Sequence, residues 1–187
     1  MPGPVAAGRV ATGRAVSARR WLAVAAVGFV AASLFHLATF TPAAARLRAG
    51  HAAGLLVAAF VPLAGMIARM RRTAAPTRSW RRLAVYDWRR LASLVPGPVR
   101  ALVFAAALYV LMNLALSLAL VGGSTTVEAD GRYFVVEGAG DRQEISRPAF
   151  EAHHAVTLRL LSGHLLLFYL LPLVYFAFVD PGRGGRA

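Results

Sequence analysis

Four apolar runs, each close to a membrane's width in helical length, constrain this chain more than any other feature. They are Trp21 to Phe40, Ala52 to Ala68, Ala101 to Val121 and Leu160 to Val179. At 1.5 Å per residue, about 20 apolar residues cross a ~30 Å hydrocarbon core. The pattern predicts an all-α membrane protein, a four-span helical bundle over residues 21–179. The second run is short and contains Gly54, Pro62 and Gly65. A transmembrane Pro is tolerated where neighbours satisfy the freed carbonyl, so a kink is expected near Pro62.

The first run follows a Gly/Ala/Arg-rich stretch, residues 1–20, with four Arg and no acid. That composition predicts a disordered basic tail. A signal peptide is the competing reading, with Ala43 and Ala45 as an A-x-A-like cleavage site. The apolar run is longer than the usual 7–15 residue h-region, which favours an uncleaved helix.

Charge sets the expected orientation. The formal net charge is +13, and the sequence contains no Lys, so all 21 basic residues are Arg. Such a charge often marks nucleic-acid binding. Here the Arg residues cluster between apolar runs, as insertion into a membrane requires, so no nucleic-acid partner is expected. The 69–100 loop has nine Arg against one acid, Asp87. The 122–158 loop has six acids against three Arg, which reverses the balance. By the positive-inside rule the 69–100 loop, both termini and the 180–187 tail are cytoplasmic. The 122–158 loop is then outside a cell inner membrane. Arg46 and Arg48 in the short outer link are the exception, outweighed by the nine-Arg loop.

Within the inner loop, Trp80, Ala84, Trp88, Leu91 and Val95 recur at helical spacing opposite Arg78, Arg82 and Arg89. Basic residues facing Trp and Leu are the pattern of an interfacial amphipathic helix over 79–95. Trp80 and Trp88 of this helix and Trp21 at the start of the first span, with Arg81, Arg82, Arg89 and Arg90, are the chain's expected contacts with the inner interface and its anionic lipids. In the outer loop, Thr125–Val127 and Arg132–Val136 flank Ala129-Asp130-Gly131, a β-hairpin signal. Gln143–Ile145 is a candidate third strand. Ser146 reads as the N-cap of a helix that carries Pro148 in its first turn and runs into the fourth span. A ribbon this small must rest on helix ends or on a partner.

Standard catalytic motifs are absent. Without Lys there is no P-loop, and neither His-Glu-x-x-His nor Gly-x-Ser-x-Gly occurs. No Cys is present, which excludes disulfides and thiolate sites. The five His residues are the main chemical feature. His36 and His164 are placed by the topology at similar depth on different spans. An intramembrane ionisable residue is a functional-site hypothesis by default. The pair could hold a haem, or a metal ion with His51 as third ligand; the alternative is that each imidazole hydrogen-bonds to a nearby carbonyl or hydroxyl. His153 and His164 are ~16 Å apart along one helix and cannot share an ion. Glu151 and His154 have a di-metal carboxylate spacing in a single copy. Asn113 and Ser117, four residues apart in the third span, read as polar groups that pack against another helix. Gly28 with Ala32, and Gly54 with Ala58, are small-residue pairs that permit close helix approach.

Ser162-Gly163-His164 and Phe168-Tyr169, preceded by Ile145-Ser146-Arg147, resemble a functionally uncharacterised group of small bacterial multi-pass membrane proteins. The resemblance covers about residues 131–169. It implies the four-span topology, singles out His164 and brings no activity. The leading expectation is a non-enzymatic accessory or partner-binding subunit. A haem- or metal-binding redox protein is the first alternative. An oligomeric small-solute transporter is the second, disfavoured by the lack of an acid or Arg in mid-span.

Overall fold

The structure is a computed structural model that describes residues 4–73, 93–138 and 140–180. Helix α1 spans Pro4–Ala38, and a 3₁₀ turn follows at Pro42–Arg46. Helix α2 spans Ala49–Thr73 and α3 spans Gly97–Val121. Three strands come next: β1 at Thr125–Ala129, β2 at Arg132–Glu137 and β3 at Asp141–Ile145. Helix α4 runs from Arg147 to Val174 and ends in a π-helical turn, Tyr175–Val179. Four segments are long and apolar enough to cross a membrane: Ala18–Ala38, Ala49–Arg71, Gly97–Val121 and Arg147–Val179. This fits a multi-pass membrane protein. The amphipathic segment expected at 79–95, with Trp80, Trp88, Arg81, Arg82, Arg89 and Arg90, lies almost entirely outside the described residues.

One helix boundary differs from that read in the sequence. Helix α1 begins at Pro4, inside the stretch expected as a disordered tail. The stretch is Ala-rich, and Ala and Arg are strong helix formers. Helix α4 begins thirteen residues ahead of the apolar run at Leu160, as expected of a helix that enters the fourth span unbroken. The Ser146 hydroxyl accepts from the Ala149 amide at its start. Pro62 and Pro172 both lie inside helices.

Contacts divide the chain into two compact units, and each helix contributes to both. The first takes in the described residues of Met1–Phe29, Ala58–Phe104 and Phe168–Ala187. Its packing is glycine against aromatic. The Tyr169 ring lies where a Cβ on Gly28 would stand, and the Trp21 ring lies 2.8 Å from the corresponding position at Gly65. Trp21 also stacks on Phe176, with centroids 6.1 Å apart. Arg69 pairs with the buried Asp180 carboxylate at 3.6 Å, joining the ends of α2 and the π-helical turn. Gly28 therefore makes room for a side chain. Gly54, in the other unit, has open space where a Cβ would go, so among the described residues no neighbour exploits its small size.

The second unit holds Val30–Val57 and Ala105–Leu167, including the sheet. The sheet is antiparallel in the order β1-β2-β3. Asp130 (φ 53°) and Gly131 (φ 73°) turn the first hairpin. Two consecutive positive φ values are what a type I′ turn needs, and Asp-Gly supplies them cheaply. Tyr133 of β2 packs on Phe150 of α4 at 4.8 Å between ring centroids, so the ribbon rests on a helix start.

The Gly28–Tyr169 fit yields a quantitative expectation. Gly28→Ala should destabilise the protein by about 1–3 kcal/mol, the usual cost of overpacking. With Tyr169→Leu already present, the same change should cost markedly less. Unfolding of the four variants in one detergent, treated as a double-mutant cycle, checks this.

Candidate functional site

Polar groups from three helices of the second unit converge on His36. Its ring is buried, 4 % exposed, near the end of α1. Nδ1 lies 2.7 Å from the Ser162 hydroxyl on α4, and Nε2 lies 2.5 Å from the Tyr109 hydroxyl on α3. One imidazole thus joins three helices. The Ser162 hydroxyl can donate in turn to the Arg159 carbonyl at 3.3 Å. A neutral imidazole has one donor and one acceptor. With the Ser162 proton on that carbonyl, His36 Nδ1–H donates to Ser162 and Nε2 accepts from Tyr109 O–H; with the Ser162 proton on Nδ1, Nε2–H donates to Tyr109 instead.

Around this chain the helix ends are tied together. The Asn113 amide on α3 donates to the Arg159 carbonyl at 2.9 Å. Its amide occupies the place a Cβ on Gly163 would need. Ser162 and Gly163 therefore have separate tasks: Ser162 reaches His36, and Gly163 seats Asn113. The Arg159 guanidinium donates through Nε and Nη2 to the Thr39 carbonyl, at 3.2 and 3.0 Å. The last carbonyls of a helix lack partners within it, and a cation there also favours the dipole. Arg159 of α4 thus caps α1. Its guanidinium lies 4.4 Å from the Phe40 ring centroid, and Phe40 meets His36 edge-on.

The other His residues have local tasks. His164 Nδ1 donates to the Leu160 carbonyl one turn back. His51 Nδ1 accepts from the Arg48 amide at the start of α2, half of a capping-box geometry. His154 Nε2 donates to the Leu47 carbonyl at 2.9 Å, and the ring stacks on Phe150. His153 Nε2 lies 3.3 Å from the Ser124 hydroxyl. Glu151 pairs with Arg147. Among the described residues no three of His, Asp and Glu stand together where they could hold one metal ion, so His36, His51 and His164 do not form a set. No hydrogen bond or ring contact joins His36 to His164 among the described residues. Ser117 is buried at 4 % exposure on α3, and Trp21 is half-buried in the other unit.

No family model, curated protein or solved structure matches the chain. The site therefore has to be read from its own geometry. Three of its members escaped the sequence reading. Tyr109 sits among apolar residues and carries no motif. Thr39 contributes mainly a backbone carbonyl. Arg159 stands one residue ahead of the fourth apolar run, where it looks like a loop charge. The usable signal was Arg159 itself, three residues before Ser162 and thus on the same helical face.

Removing either partner of His36 leaves a buried polar group unsatisfied, at a cost of about 1–3 kcal/mol. Tyr109→Phe and Ser162→Ala should each lower stability by that order in detergent unfolding. Tyr109→Phe should cost much less on a His36→Leu background, because the ring nitrogen it orphans is gone.

Proposed function

We propose that this protein is a non-enzymatic subunit of the cell inner membrane that binds a membrane-protein partner or a second copy of itself. The observation that supports the reading is the closed polar network around His36. Both ring nitrogens, the Ser162 hydroxyl and the Asn113 amide are engaged within the chain. A site built for catalysis or for a metal keeps an open position, and this one spends its groups on holding helices. Both termini and the Arg-rich 69–100 loop face the cytoplasm, where the arginines meet anionic lipid headgroups. The sheet and the rest of the 122–158 loop face outwards. Arg asymmetry between the loops supports that orientation.

Orientation is checked by single-Cys labelling in intact cells, the chain having no Cys of its own. A thiol at Asp141 should react with an impermeant reagent, and one at Arg78 should react only after lysis. The reverse pattern would invert the topology. Function is checked by in-membrane photo-crosslinking from Leu111 and Leu116 of α3, which are 62 % and 63 % exposed. A discrete protein adduct of constant mass is expected. Lipid adducts alone from both positions would count against a partner on this face. A Soret band, or stoichiometric Fe, Cu or Zn, that His36→Leu abolishes would replace the reading with a redox one.

A further inference from the structure

Among the described residues of the His36 cluster Arg159 is the one charged side chain, and none is acidic. Among the described residues no carboxylate lies within ion-pair distance of it. A half-buried cation without a counter-charge is costly unless an anion comes from elsewhere. The geometry also leaves the means to bind one. A guanidinium has five N–H donors, of which the Thr39 carbonyl takes two, one on Nε and one on Nη2. The Nη1 and remaining Nη2 protons form a fork suited to two oxygens of one anion.

The surroundings select the kind of anion. The Phe40 ring, over which the guanidinium lies, is 55 % exposed, and Leu37 one turn earlier is 62 % exposed. Leu160 and Leu161 follow Arg159 directly and open the apolar run of α4. The free fork thus stands at the boundary between a polar cluster and exposed hydrocarbon. An amphiphile with an anionic head and acyl tails fits that boundary, and a water-soluble anion would leave the apolar side unused. We propose that Arg159 holds the phosphate of a membrane phospholipid, whose acyl chains lie against Phe40 and Leu37. The bound phosphate supplies the counter-charge that the described residues around Arg159 lack, and Thr39 holds the guanidinium so that its fork faces the lipid. The inference does not depend on which partner the protein has.

Native mass spectrometry of the detergent-purified protein tests it, with dioleoyl phosphatidylglycerol and phosphate-free dioleoylglycerol as probes. The phospholipid should be retained as a one-to-one adduct and the diacylglycerol should not. Arg159→Gln should weaken retention by about tenfold or more, as loss of a charged hydrogen bond predicts. Arg147→Gln, which removes an arginine already paired with Glu151, should leave it unchanged. Should Arg159→Gln fail to fold, Arg159→Lys keeps the charge without the fork and should show intermediate retention. Equal retention of both lipids would overturn the proposal, as would equal losses in the Arg159 and Arg147 variants or full retention by Arg159→Lys. Displacement of the lipid by millimolar inorganic phosphate would assign the fork to a free anion instead.

Discussion

Helices in lipid gain little by hiding apolar surface from a solvent that is itself apolar. Their arrangement then rests on close packing and on a few hydrogen bonds with no competing water. In this protein the decisive one is His36, whose two ring nitrogens reach α3 and α4 from α1. In either tautomer one ring nitrogen donates and the other accepts, so both neighbours are served only while both stand in place. That constraint fixes rotation as well as contact. Turning α4 by one residue would carry Ser162 away from His36 and Gly163 away from Asn113 together.

The two units solve the packing problem by different means. Around Trp21 and Tyr169, large rings fill the places left by missing glycine side chains. Around His36, short polar groups exchange hydrogen bonds between helices. Dispersion contacts tolerate small rotations, whereas hydrogen bonds near 2.7 Å do not. The hydrogen bonds around His36 therefore hold rotation within their unit more tightly than the ring contacts around Trp21 and Tyr169 do in theirs.

What could be read from the sequence follows from which signals are periodic. The four apolar helices and the Asp130-Gly131 hairpin announce themselves through length and turn chemistry, and all appear in the structure. The third strand was legible as Gln143–Ile145, and it begins two residues earlier, at Asp141. The partners of His36 were not legible, because a residue's partner across helices depends on rotation, which no local pattern encodes. His36 and His164 looked alike in the sequence: each is one imidazole within an apolar run. Yet His36 spans three helices, and the His164 ring turns back to its own helix at Leu160. The extra length of α4 was visible through Ser146 and Pro148, while the role of Arg159 within it was not.

That length has a mechanical side. Helix α4 has 28 residues before its π-helical turn, roughly 42 Å of rod against a ~30 Å hydrocarbon core. The sheet is seated on it through Tyr133 and Phe150, and Ser162 lies twelve residues further along, a distance of roughly 18 Å. A helix resists bending over such a span, so a push on the sheet becomes a tilt of the rod. Ser162 and Gly163 must move with it, and they hold the contacts to His36 and Asn113. The sheet is thus the handle of a lever whose short arm is clamped at His36.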